Sequence, residues 1–410
     1  MNRPAPFDAG SPGRPVIDLL DGSFYAGDCH PAYEWMRTHE PVYRDDAHHV
    51  WGVASFDAVL AVAKDPSTFS NAGGIRPDMG PLAMMIDMDD PAHVHRRMLV
   101  NKGFTPKRVR SSEDDVRRIC DTIIDRVSER GECDFVRDIA APLPMIMIGD
   151  MLGIAPEDRD DVLRWSDDMV SAQGGNVSDE VVLRSIASFT EYTAYCTQAI
   201  EDRRRRPTDD LLSVLVHAEV DGQRLDDDAL IHESLLLLVG GDETTRHVIS
   251  GGMEQLLRDR RQWEALVDDP AGVPIAVEEM LRWVSPIKNM CRTVTRDTHL
   301  CGADLPAGVK VLLLYEAANF DGSHFVDPEQ FDATRQPNDH LAFGFGSHFC
   351  LGNSLARVEL RLMFEQLLAR LPDIELASDG PFPRRPATFI SGLEAMPVRF
   401  RSCSVAPGRG

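Results

Sequence analysis

The stretch LAFGFGSHFCLGNSLARVEL, residues 341–360, decides how this chain reads. One cysteine, Cys350, lies between Gly344, Gly346 and Gly352, among aromatic rings that include Phe343, and with His348 two residues before it. From about Asn353 onward the apolar residues fall at helical spacing. A thiolate is a good ligand for soft and borderline metals. The glycines let backbone N–H groups turn toward the sulfur, and a helix starting near Asn353 aims its positive end at the same atom.

Several metal and nucleotide sites are excluded by spacing. A structural zinc site needs four ligands, and no second Cys or His pair accompanies Cys350 and His348. The segment HESLL at 232–236 opens like a zinc-protease motif but lacks the second histidine. GFGSHF at 344–349 fails the dinucleotide fingerprint because its sixth position is Phe349. Two readings of Cys350 are left. One is a nucleophile. The other, which fits better, is the single axial thiolate of a haem, whose porphyrin supplies four ligands. Phe343 then offers a flat apolar surface near the ring. Haem propionates need cations, and His93, Arg97, Arg292 and His348 are the candidates. His93 and Arg97, four apart in MDDPAHVHRRM, share a helix face.

Working outward, most of the chain reads helical. Val109, Val116, Ile119, Ile123 and Val127 form one apolar face over 105–130. Further helices are expected over 156–173, 178–205 and 353–371. Residues 42–53 read as two strands around a polar turn, and short strands are expected near 289–295 and 309–315. The longest helix starts after LDDD at 225–228, whose acids favour a helix N-terminus, and runs to about 258, roughly 50 Å at 1.5 Å per residue. It carries VGGDETTRH. Two adjacent helical glycines, Gly240 and Gly241, cost about 1 kcal/mol each relative to alanine. Either a second helix packs closely there, or something bulky presses on the backbone beside Asp242, Glu243 and Thr244. In EEMLRW, Glu279 and Arg282 are three apart, an ion pair that on an exposed helix contributes only a few tenths of a kcal/mol.

Composition bounds the function. The chain has 410 residues and carries 43 Lys+Arg against 66 Asp+Glu, a net −23, which argues against nucleic-acid binding. EDRRRRP at 201–207 reads as a solvated helix end. No apolar run approaches the length of a membrane span, and the first twenty residues lack a signal-peptide pattern, so a cytoplasmic protein without a membrane anchor is expected. Eight scattered cysteines without a CxxC pair are expected to be mostly reduced and buried. No linker divides the chain, and one domain over 1–410 is expected, with loose ends at about 1–16 and 403–410.

These motifs together resemble the cytochrome P450 monooxygenases. FGFGSHFCLG resembles the haem-binding loop, VGGDETT the oxygen-binding helix, EMLR the buried Glu-x-x-Arg pair, DPAHVHRR and PIKNMCR the propionate-binding segments, and ANFDGSHFVDPEQFDATR the meander before the haem loop. The resemblance implies a mainly α fold, with a large helical lobe, a small β-rich lobe and haem b between them. It implies Cys350 as axial ligand and Gly240 and Gly241 as the place where oxygen and substrate approach the helix. It gives Thr244 and Glu243 the delivery of protons, with Asp242 as second choice, and makes Glu279 and Arg282 a structural pair. Two departures stand out. Gln330 replaces a common arginine, leaving Arg335 to complete the Glu279–Arg282 network, and ANFD replaces the commoner ANRD.

The resemblance also implies a soluble ferredoxin and an NAD(P)H-dependent ferredoxin reductase as electron donors, with Arg357, Arg361 and Arg118 as candidates for the docking face. The protein is expected to be a monomer. Within the family the segments are most similar to actinobacterial steroid side-chain oxidases, which hydroxylate the terminal methyl of cholesterol or cholest-4-en-3-one and can continue to the acid. Met84, Leu237, Ile287, Met290 and Ile390 are the expected pocket residues. The alternatives are the same chemistry on a fatty acid, terpenoid or macrolide, and a haem protein that binds ligands without turnover.

Overall fold

A computed structural model of the chain describes residues 14–173 and 177–402. Its centre is helix α7 (Asp227–Arg258, 32 residues). Asp226 caps it by accepting from the Ala229 N–H, and Asp227 and Asp228 occupy its first turn, where negative charge opposes the helix dipole. Around α7 lie α4 (Pro142–Leu152), α5 (Arg159–Ser171), α6 (Asp179–Arg205), α8 (Val273–Val284) and α9 (Asn353–Arg370), all in contact with it. Glycines set the closeness of two of these contacts. A Cβ on Gly241 would lie 3.0 Å from the Ile148 side chain of α4, and one on Gly252 would lie 2.6 Å from Met280 of α8.

The apolar face expected over 105–130 divides into α2 (Pro106–Ser111) and α3 (Glu113–Ser128). Thr105 and Pro106 start the first, and Ser112 followed by Glu113, Asp114 and Asp115 starts the second. Val116, Ile119, Ile123 and Val127 are buried, whereas α2 buries nothing. Ahead of both lies α1 (Ala92–Asn101).

The β lobe is a five-stranded sheet in the order β1–β2–β5–β4–β3, from β1 (Val42–Asp45), β2 (Val50–Val53), β3 (Phe69–Ser70), β4 (Asn289–Val294) and β5 (Lys310–Leu314). The pair β1–β2 is antiparallel, as its polar turn predicts, with Val42 opposite Val53. Of the expected loose ends, residues 1–13 and 403–410 lie outside the described residues. Residues 14–16 are tied down instead: Arg14 pairs with Glu40 at 2.8 Å, and the Tyr43 hydroxyl donates to the Pro15 carbonyl at 3.0 Å. The arginines of 201–207 are not simply solvated either. Arg203 donates to the Gly153 carbonyl at 2.7 Å, and Arg204 pairs with Asp227. Cys29, Cys120, Cys196 and Cys291 are free and buried, while Cys301 is exposed.

Candidate active site

The Cys350 loop is held by backbone geometry. Gly344 and Gly346 have φ of 67° and 81°, in the left-handed region, and a Cβ on Gly346 would lie 2.6 Å from the Ala63 carbonyl oxygen. The Cys350 N–H donates to the Phe343 carbonyl at 3.0 Å. Gly352 is different: its φ is −82° and a side chain there would meet nothing within 4 Å. The Arg357 guanidinium lies 4.6 Å over the Phe343 ring. Leu351 packs against an apolar cluster contributed by several helices. Burial pushes the Cys350 thiol above its ordinary value, and the N–H groups of Gly352 and Asn353 and the charges of Arg97 and Arg357 pull it back. A bound metal shifts such a thiol to the thiolate outright.

The candidate cations come from three separate segments and meet beside this loop. His93 is buried, with its ring 3.9 Å from that of His348. Its Nδ1 lies 2.9 Å from Asp90, while its Nε2 has no partner among the described residues. Burial first, and then His93, Arg292 and Arg97, hold His348 down to about 3. Arg292 is buried and donates to the Cys291 carbonyl at 2.8 Å. Arg97 donates to the carbonyls of Ser347, at 3.1 Å, and Phe349, so in this structure it braces the cysteine loop. Buried cations call for an anion. A lone thiol, two arginines beside a pair of imidazoles with an unmatched ring nitrogen, and an open helix face together suit a flat, dianionic group that takes one thiolate. Haem fits these residues.

On α7 the two glycines part company. Gly240 is exposed in the middle of a mostly buried helix, and a Cβ there would meet nothing within 4 Å, so it keeps the helix face open. Gly241 does not share that role, because it fills the contact with Ile148. The Thr244 hydroxyl, one turn on, donates to the Gly240 carbonyl at 2.8 Å on the same open face. Glu243 is fully buried, and its Oε2 accepts from Arg246 at 2.6 Å and from Arg385 at 2.7 Å. Arg385 also reaches Asp167 at 3.3 Å. Burial raises the Glu243 carboxyl, opposed by Arg246 and Arg385. Asp242 lies about 200° around the helix from Gly240. It is buried, neither of its oxygens has a partner among the described residues, and burial and Glu243 raise it well above the ordinary range. Burial first, and then Asp242, raise Glu359 of α9 to about 8. Arg246 stands three residues after Glu243, a spacing visible in DETTRH. Arg385 has no local signal in the sequence.

Glu279 and Arg282 are both fully buried and make two hydrogen bonds to each other, at 2.7 and 2.8 Å. Arg335 joins Glu279 at 3.0 Å, and Asn338 and the Asp332 N–H also donate to it. Arg282 further donates to the carbonyls of Asn319 and Pro328. The ANFD departure has a physical account: the buried ring of Phe320 lies 5.0 Å from the Arg282 guanidinium, a cation–π contact.

An apolar wall gathers Ile75, Val170, Phe389 and Ile390, with Ile86, Val239, Ile287 and Met290 packed against it. Ile287, Met290 and Ile390 of the expected pocket meet here. Met84 and Leu237 do not: they are buried in a second cluster between helices, and Ile86 and Val239 pack against both clusters. The expected docking arginines are also already paired. Arg357 binds Glu278 at 2.7 Å, Arg361 binds Glu113 and Glu365 at 3.0 Å each, and Arg118 binds Asp115 at 2.7 Å. Lys107, Arg108 and Arg110 of α2, a helix that touches α9, form no ion pair among the described residues.

The fold and the site are those of a haem-thiolate protein. The cytochrome P450 family profile matches residues 273–389. The chain is 57% identical to Steroid C26-monooxygenase of Mycolicibacterium smegmatis, over 94% of this chain and 96% of that one. It is 38% identical to the methyl-branched lipid omega-hydroxylase of Mycobacterium tuberculosis, over 85% of this chain and 83% of that one. Among solved structures it resembles CYP109E1 from Bacillus megaterium in complex with testosterone, with a TM-score of 0.83 and 34% identity, covering 91% of this chain and 99% of that one. The chain belongs to the cytochrome P450 family. No helix among the described residues is long and apolar enough to cross a membrane.

Proposed function

We propose that this cytochrome P450 monooxygenase hydroxylates the terminal methyl of a steroid side chain and can carry the product on to the acid. The observation that carries the substrate is the 57% identity, over nearly the whole chain, to a steroid C26-monooxygenase. The apolar wall of Ile75, Ile287, Met290, Phe389 and Ile390 supports it. Covering a branched side chain contributes ~0.8 kcal/mol per CH₂, and rigid rings lose little entropy on binding.

In this reading Cys350 ligates the iron, and His93, His348 and Arg292 hold the propionates while Arg97 fixes the loop. Bound haem supplies the oxygen chemistry, activating O₂ and inserting one oxygen atom into a C–H bond. The protein's own share is orientation and protons. The wall directs the methyl group past Gly240. Thr244 holds a proton on its hydroxyl on that open face, and Glu243 replenishes it. Arg385 and Asp167 lead from Glu243 toward the surface. Electrons come from a ferredoxin, whose acidic face suits the unpaired cations of α2.

Cys350→His tests the ligand: the red-shifted carbon monoxide band of the reduced protein should disappear, and a surviving band rejects the assignment. An optical titration tests the substrate. Cholest-4-en-3-one should bind tightly and shift the iron to high spin, whereas androstenedione, which lacks the side chain, should do neither. A methyl-branched fatty acid that binds and turns over better than either sterol would establish the second reading, a branched-lipid hydroxylase, which the 38% identity favours.

A further inference from the structure

We infer that His247 is a positioning residue for Glu243, holding the carboxylate so that Oε2 stays with its two arginines and Oε1 is left to carry the proton. The inference rests on Glu243 being the proton relay. His247 lies one turn after Glu243 on α7 and is 1% exposed. Its Nε2 is 3.8 Å from Glu243 Oε2. Neither ring nitrogen has a hydrogen-bond partner among the described residues, the 3.8 Å to Oε2 being too long for one, and Glu243 Oε1 has none either. A buried imidazole with no hydrogen-bond partner is unfavourable for the fold. A leucine or phenylalanine would fill the same space without that cost, so packing alone does not account for a histidine here.

The ring is fixed from the other side by the turn 385–392. A Cβ on Gly392 would lie 2.3 Å from His247 Nδ1, so only glycine leaves room for the imidazole where it stands. The same turn supplies Arg385, whose side chain holds Glu243 and whose N–H donates to the Gly392 carbonyl at 2.9 Å. Two contacts from one turn therefore reach Glu243, one by charge and one through His247. Burial lowers the His247 pKa well below its ordinary value, and Arg246, Arg385, Lys288 and Arg384 lower it further. A neutral imidazole stands 3.8 Å from the Glu243 carboxylate without competing as a third cation. The turn also carries Phe389 and Ile390 of the apolar cluster with Ile287 and Met290.

The test uses the full-length, haem-loaded enzyme with reduced ferredoxin and cholest-4-en-3-one, reading product formed per NAD(P)H consumed and the solvent isotope effect on turnover. His247→Phe should keep the carbon monoxide band and the substrate-induced spin shift. Its coupling should fall by about threefold to tenfold, within the hundredfold that a 1 Å misplacement of a reacting group can cost, and its isotope effect should rise. His247→Gln, which keeps an N–H, should recover part of the loss. If His247→Phe loads no haem, Gly392→Ala displaces the ring with the histidine retained and should show the same loss. Wild-type coupling and isotope effect in His247→Phe or, where that variant fails to load, in Gly392→Ala overturn the inference. Glu243→Gln separates the two claims. If it is altered while His247→Phe is not, His247 alone loses its role. If Glu243→Gln itself is unchanged, the relay assignment falls.

Discussion

Two buried charged groups in this molecule are built in opposite ways. Around Glu279 and Arg282 the carboxylate accepts from Arg282, Arg335, Asn338 and the Asp332 N–H, and the guanidinium donates onward to two carbonyls. Around Asp242, Glu243 and His247 on α7, by contrast, Asp242 has no partner for either oxygen, Glu243 has one free oxygen and His247 has two free nitrogens among the described residues. A buried polar group left unmatched costs about 1–3 kcal/mol. The first region saturates its hydrogen bonds and holds the meander to α8. The second leaves titratable groups unmatched, as the proposed proton relay requires. The difference separates architecture from chemistry in a chain where both use acids and arginines three residues apart.

The comparison is broken most severely by Glu279→Ala. It strands Arg282 and Arg335 without their carboxylate, and losing one member of a buried pair costs about 3–5 kcal/mol. Little haem-loaded protein should be recovered, and a stable, fully loaded variant with normal turnover removes the structural assignment. Thr244→Ala comes next. It should load haem and show the substrate spin shift, yet lose several-fold in product per NAD(P)H, with the difference released as hydrogen peroxide. Unchanged coupling contradicts its role in proton handling.

A smaller effect is expected on α2. Reversing Arg108 and Arg110 to glutamate should raise the KM for ferredoxin several-fold at low salt, and the effect should shrink at high salt, where surface charges are screened within ~10 Å. Equal KM values at all salt concentrations move the docking face elsewhere. The mildest test sharpens the unmatched side. Glu359 titrates at about 8 in the fold against an ordinary 4.5, so the folded protein holds this proton better than the unfolded chain. Its contribution to stability is full below 4.5 and is lost as pH climbs through about 8. Glu359→Gln cannot ionise, so its melting temperature should fall less than the parent's between pH 5 and 9. Parallel curves for the two proteins would mean that Glu359 is not the group responsible.

By itself the sequence determined what local rules control. Cys350 stands out because glycines at 344, 346 and 352 surround it and a helix start follows, whereas which of those glycines is left-handed was not legible. The start of α7 follows from its capping acids, and β1 and β2 from alternation around a polar turn. Even Arg335 could be named as the completing member of the Glu279 network, since it lies in the segment whose arginine was displaced. Only the tertiary structure decided matters that depend on which elements meet. Gly240 and Gly241 are neighbours of one type, yet α4 covers one and leaves the other open. Leu237 and Val239 pack on the same helical cluster, but only Val239 also reaches the wall of Ile75, Phe389 and Ile390. Arg357 and Arg361 look free in sequence and are neutralised by Glu278, Glu113 and Glu365. Arg385 reaches Glu243 across 142 residues, a separation that no periodicity spans. Spacing along a chain encodes the face of a helix; what lies against that face is set by packing between segments distant in the chain.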